Sequence, residues 1–151
     1  MDITKEPSKI LKQKLTEVKK ITPAIKTLIS AMRVKMVEAK GVGLAANQVG
    51  EDLQIFVIDK TLADENGVPD AYINPEITEY SRETGELEEG CLSIPEYFVD
   101  IPRAKKIKLK ALDENGNKIK IKARGFLARV LQHEYDHLNG LLIKDRVKSK
   151  S

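Results

Sequence analysis

The sequence predicts an α+β fold in a single domain spanning residues 1–151, with mixed or antiparallel strands packed around a C-terminal helix and one further helix near the N-terminus. Three observations predict it. Residues 22–40 carry apolar side chains at helical spacing, and residues 104–124 alternate lysine with aliphatic residues as strands do. Residues 126–138 then return to an amphipathic helical pattern that contains His-Glu-x-x-His.

Each element has its own local reason. Thr22 can cap a helix, Pro23 suits its first position, and Ile25, Leu28, Ile29, Met32 and Met36 recur on one face. Gly41 is the expected stop. "LQIFVID" (53–59) and "AYINPEI" (71–77) are short apolar, β-branched runs of strand type. From Ala104 onward, Lys106, Lys108 and Lys110 alternate with Ile107 and Leu109; "DENGN" (113–117) supplies turn chemistry, and "KIKIKAR" repeats the alternation. That is a hairpin with lysines outward and aliphatics inward. The last helix begins near Phe126 and runs through His137, with Leu127, Val130, Leu131 and Leu138 as its apolar side.

Composition narrows the class of protein. A 151-residue chain with 41% hydrophobic content can fill one core. No apolar run approaches the roughly 18 residues that a membrane span requires. "MDITKEPSKILKQK" lacks the apolar segment of a secretory signal, and its Asp2 and Glu6 are unlike a transit peptide. The single cysteine, Cys91, excludes an internal disulfide and suits a reducing compartment. A cytoplasmic monomer with no membrane partner is expected. The net charge of +3 does not call for a nucleic-acid partner, and with no Trp and 5% aromatics there is little to stack on bases. The lysine stripe therefore reads as the solvated side of a strand that discourages edge pairing, and no specific nucleic acid is expected.

The chemistry concentrates in "QHEYDHLNG" (132–140), which holds both histidines of the chain. His133 and His137, at i and i+4, project from one helix face and can bind one divalent ion, with Glu134 beside them to handle a proton. A catalytic site of this type needs a third protein ligand and an open position for water. It does not come from downstream. Ile143 stands where the longer H-E-x-x-H-x-x-G-x-x-H pattern has its last histidine, and no glutamate follows Glu134. Cys91, in "EEGCLSIP" (88–95), is the upstream candidate; the bland alternative is a buried small hydrophobe. One thiol and two imidazoles are all the cysteine and histidine ligands the chain owns, and they make three.

"GVGLAANQ" (41–48), "EGCLS" (89–93) and "QHEYDHLNG" (132–140) resemble, in order, the three signature motifs of the peptide deformylases. The resemblance extends through "YINPEI", "YSRETGELEEG" and the lysine-rich hairpin, from about residue 22 onward. It implies removal of the formyl group from the N-terminal formylmethionine of new polypeptides, with release of formate. It implies Cys91, His133 and His137 as metal ligands, Glu134 as the acid/base, and Gln48 with the backbone N–H of Leu92 as donors to the carbonyl oxygen. The implied ion is Fe²⁺, with Ni²⁺, Co²⁺ or Zn²⁺ able to substitute. Val42 and Gly43 are expected to meet the peptide backbone, Val42 through its N–H and C=O. Glu89 is grouped with the substrate-binding residues, nearer to a supporting than a catalytic part. Gln132 and Asp136 are expected to hold the helix and its ligands, with Arg103 paired to one of these carboxylates.

Many bacterial members continue past the third motif into a long C-terminal helix, whereas this sequence stops at "LLIKDRVKSKS". A short phage-type or organellar form, or a trimmed chain, is the expectation. Transient ribosome contact through the basic tail (Lys144, Arg146, Lys148, Lys150) is conceivable, but a frayed, solvated terminus is expected there. The rivals are a metallopeptidase cleaving ordinary peptide bonds and a non-enzymatic protein with a closed structural ion site.

Overall fold

The computed structural model describes residues 1–147; Lys148 and Lys150 of the basic tail lie outside the described residues. In chain order the elements are α1 (Pro23–Glu38), β1 (Gly43–Ala45), β2 (Ile55–Ile58), α2 (Lys60–Glu65), β3 (Ala71–Tyr80), β4 (Thr84–Cys91), β5 (Ile94–Ala104), β6 (Lys106–Leu112), β7 (Lys118–Arg124) and α3 (Gly125–Leu138). Short 3₁₀ turns occupy Lys9–Lys12, Ala46–Val49 and Ile143–Arg146. The α+β class holds, and every ladder among the described residues is antiparallel. One sheet runs β1-β2-β3-β6-β7, and β4 with β5 forms a separate ribbon.

The first helix starts as expected: the Thr22 hydroxyl accepts the Ile25 N–H at 3.3 Å and Pro23 opens the first turn. Ile29, Met32 and Met36 are its buried stripe. Its end differs from expectation. Lys40, not Gly41, takes the left-handed conformation (φ 58°), and the Gly41 N–H returns to the Met36 carbonyl at 2.9 Å. A Cβ at 41 would stand 2.9 Å from Leu92 Cδ1, so that side-chain tip would have to shift.

β2 is buried along its whole length, and Phe56 stacks on Tyr72 of β3 with ring centroids 4.9 Å apart. Packing of α3 against β1, β2, β3 and β7 closes the main core. Each large aliphatic side chain buried there contributes roughly 1.5–3 kcal/mol. A smaller cluster of Leu11, Ile94, Ile101, Leu142 and Ile143 ties the N-terminal segment, β5 and the last turn together.

The C-terminal turn departs from the frayed end expected of it. Leu142 and Ile143 are buried, Lys144 pairs with Glu6 at 2.6 Å, and Arg146 pairs with Asp136 at 2.8 Å. Apolar burial and two ion pairs outweigh the chain entropy that loosens a terminus.

Candidate metal centre and active-site cleft

Two elements bring the predicted ligands together. His133 and His137 sit one turn apart on α3, with their Nε2 atoms 3.2 Å from each other. Cys91 ends β4, where the ribbon reverses over Leu92 and Ser93, and its Sγ lies 3.3 Å from His137 Nε2. All three donor atoms fall within 4.8 Å of one another. The spacing suits one ion: two nitrogens each about 2.0–2.1 Å from a tetrahedral centre lie about 3.3 Å apart. One sulfur and two imidazoles are also a borderline-soft donor set that suits Fe²⁺, Ni²⁺, Co²⁺ or Zn²⁺ rather than Mg²⁺ or Ca²⁺. The three residues fit a divalent transition-metal ion.

A buried network holds His133. Its Nδ1 meets Glu89 Oε1 at 2.8 Å, and the same carboxylate accepts two bonds of 3.0 Å from Arg103 and one from Arg129 Nη1. Arg103 also pairs with Asp136, which Arg146 grips from the other side. Arg103 therefore bridges two carboxylates where one partner was expected. Both oxygens of the Glu89 carboxylate are engaged by protein, while the residue itself lies in the lining of the cleft. Burial raises the pKa of Glu89, but the hydrogen bonds from His133 and Arg103 outweigh it and hold the group down at about 2. Gln132 clamps β5 to α3, accepting the Ala104 N–H at 3.1 Å and donating to the Ala104 carbonyl at 2.8 Å.

The two imidazoles are pulled in opposite directions. Burial opposes charge on His133, yet hydrogen bonds with Cys91 and Glu89 prevail and keep its pKa up at about 10. Burial and the neighbouring His133 push His137 well below the ordinary range. A proton on His133 thus disfavours one on its neighbour, and both rings must be neutral to ligate an ion.

Glu134 differs from its acidic neighbours. Burial raises its pKa to about 7, and its Oε1 has no hydrogen-bond partner among the described residues. Oε2 stands 3.9 Å from His133 Nε2. A carboxyl poised near neutrality beside a metal site suits proton transfer.

Gln48 is pinned at both ends. Its Oε1 accepts the Ala45 N–H at 2.9 Å, and its Nε2 points to Ser93 Oγ at 3.1 Å and Cys91 Sγ at 3.6 Å. These groups open onto a cleft of about 780 Å³, whose apolar wall includes Val42, Leu92, Phe126 and Val130. Val42 reaches the cleft, but its carbonyl already accepts the Asp59 N–H at 2.8 Å. That leaves the Val42 carbonyl one further lone pair.

Some residues of the site escaped the sequence reading. Arg129 locks Glu89 to the ribbon through the Ile101 and Gly85 carbonyls, at 3.0 and 2.8 Å. Asn47 donates to the His137 carbonyl at 2.8 Å, and Ser93 receives Gln48. Asn47 and Ser93 lie inside the quoted motifs, which was the available signal; Arg129 had none.

An α+β fold with a His-Glu-x-x-His helix, a cysteine as third ligand and an open cleft defines a metal-dependent hydrolase. The polypeptide deformylase family matches residues 1–151, and the chain belongs to it. A peptide deformylase of Prochlorococcus marinus (strain AS9601) is 45% identical over 150 residues, covering 99% of this chain and 75% of that one. One from Psychrobacter cryohalolentis is 43% identical over 145 residues, covering 96% and 78%. The crystal structure of the Thermotoga maritima peptide deformylase superposes with a TM-score of 0.90 at 43% identity and covers 97% of each chain. A Synechococcus elongatus deformylase crystallised with actinonin gives 0.91 at 38% identity, covering 99% of this chain and 80% of that one. The activity of this family is metal-dependent removal of the N-terminal formyl group.

Proposed function

We propose that this chain deformylates N-formylmethionyl nascent peptides, with Cys91, His133 and His137 holding one divalent ion, Fe²⁺ natively, and Glu134 carrying the proton. The observation that supports this most is the buried Glu134 oxygen without a partner among the described residues, next to three converging donor atoms. The bound ion supplies Lewis acidity toward water and the formyl carbonyl.

The chain's own residues do the rest. Glu134 accepts the proton of the attacking water and delivers it to the methionine nitrogen as the formyl C–N bond breaks. Burial lifts the Glu134 carboxyl above the ordinary carboxylate range, which favours the half of the relay in which it holds the proton. Gln48 Nε2 and the Leu92 N–H donate to the formyl oxygen as it gains charge, and losing one such donor typically costs about 2.7–4 kcal/mol. With Oε1 tied to Ala45, the Gln48 amide is oriented before substrate arrives. Glu89 accepts from His133 Nδ1, which leaves Nε2 as the ring's lone-pair donor. The apolar wall receives the methionine side chain at about 0.8 kcal/mol per buried methylene.

Incubation with formyl-Met-Ala-Ser should release formate and leave Met-Ala-Ser intact. Cleavage of a Met-Ala or Ala-Ser bond would mark a peptidase instead. We further propose a cytoplasmic monomer that meets its substrate at the ribosome; sedimentation at micromolar concentration and cosedimentation with ribosomes test those two points.

A further inference from the structure

We propose that the outer face of the β6–β7 hairpin binds structured RNA through its phosphate backbone. The register sets like charges directly opposite one another: Lys106 faces Arg124, Lys108 faces Lys122, and Lys110 faces Lys120. Such pairs destabilise a ladder, and the sheet itself supplies only part of the counter-charge. Glu79 and Glu76 on β3 neutralise Lys108 and Lys110 at 2.9 and 3.0 Å. Among the described residues no carboxylate pairs with Lys106, Lys118, Lys120, Lys122 or Arg124. The chain as a whole carries only +3, so this band is a local concentration and not general basicity.

The face also has a shape. A groove of about 470 Å³ lies beside it, lined by Lys106, Lys108, Lys122 and Arg124 together with Glu79, Tyr80 and Ser81 from the β3 end, so four cations there outnumber one carboxylate. It shares no residue with the catalytic cleft, so a polyanion seated there leaves the peptide's path open. Lysines recur every second residue, about 6.7 Å apart, along two neighbouring strands. That gives a ribbon of point charges suited to successive phosphates, with no planar donor set aimed at base edges. Sequence-independent binding follows, which departs from the reading of the lysine stripe as only the solvated side of a strand. Edge protection alone explains isolated lysines on β7, but not facing rows beside a groove.

The test is fluorescence anisotropy of a labelled RNA hairpin titrated with the full chain at several salt concentrations. The triple variant Lys118→Thr, Lys120→Thr, Lys122→Thr removes charge from the proposed face and keeps strand propensity. A second triple variant, Lys14→Thr, Lys19→Thr, Lys20→Thr, removes the same charge from exposed positions elsewhere. The hairpin variant should lose affinity by roughly two orders of magnitude near 0.1 M salt and flatten the log–log salt slope by about 2.7. The control should bind nearly as the parent does, and both should release formate from a free formyl peptide at the parental rate. Equal losses in the two variants would reduce the effect to net charge and overturn the proposal. So would absence of RNA binding, or tighter binding of polyglutamate than of RNA, which would point to an acidic protein partner.

Discussion

Gly43 lies flat against the side chain of Glu134: a Cβ at position 43 would stand 2.5 Å from Oε2, 2.8 Å from Cδ and 2.9 Å from Cγ. The glycine at the head of β1 therefore sets where the proton-carrying carboxylate rests. Gly43→Ala should push Glu134 out of line while leaving Cys91, His133 and His137 in place. Turnover should fall about 10²-fold, the cost of roughly 1 Å of misplacement, with metal content unchanged. Steady-state kinetics beside elemental analysis checks it; full activity would show that the carboxylate has room to move.

Glu134→Gln keeps the size of the side chain and removes the proton-transfer group. The variant should bind one ion per chain as the parent does and lose about 10²–10⁴ in kcat. Loss of the ion instead would make Glu134 a ligand and reverse its role.

Glu89 ties acid stability to the site. Its pKa is about 2 in the folded chain against 4.5 for the free side chain, so the folded state binds its proton more weakly. Its contribution is fully present above pH 4.5 and is lost as pH falls toward 2, on the order of 3 kcal/mol in all. In chelator-treated protein, urea unfolding should show the parent losing its advantage over Glu89→Gln across that window. Parallel curves would contradict it. At neutral pH the same variant should hold metal about 10–100-fold more weakly, because His133 loses its orienting partner.

Much of this was legible in the residues, and the misses have physical causes. The helix at Pro23–Glu38 and the β6–β7 hairpin follow from periodicity, because each buries one face against the core. The ligands were legible because the chain owns only one cysteine and two histidines. The β4–β5 ribbon was not, since glutamates, glycines and prolines run through two strands whose burial is mixed and does not alternate cleanly. α2 is only six residues long and is started by the Asp59 cap, too short for a period to show. Arg129 looked like any helix-surface arginine because its partners, Glu89, Gly85 and Ile101, are distant in the chain. The tight approach of Gly43 to Glu134 is likewise a property of the packed state alone.

Gly140 shows the same kind of constraint at the end of α3. It sits at φ 76°, and a Cβ there would meet Lys12 carbonyl carbon at 2.6 Å and Gln13 nitrogen at 2.8 Å. Backbone cannot yield as a side-chain tip can. Gly140→Ala should destabilise the fold by about 3 kcal/mol, from left-handed strain plus overpacking. A shift in the urea midpoint at constant slope measures it; an unchanged midpoint would mean that the N-terminal segment docks more loosely than its contacts indicate.

The central claim is that Cys91, His133 and His137 bind one ion together and leave room for a solvent oxygen. X-ray absorption on protein purified without oxygen and loaded with one equivalent of Ni²⁺ or Zn²⁺ tests it most directly. The expected shell contains one sulfur near 2.3 Å, two imidazole nitrogens near 2.0–2.1 Å and at least one light oxygen, with the sulfur lost in Cys91→Ser. A shell without sulfur in the parent, or one closed by a fourth protein ligand, would contradict it.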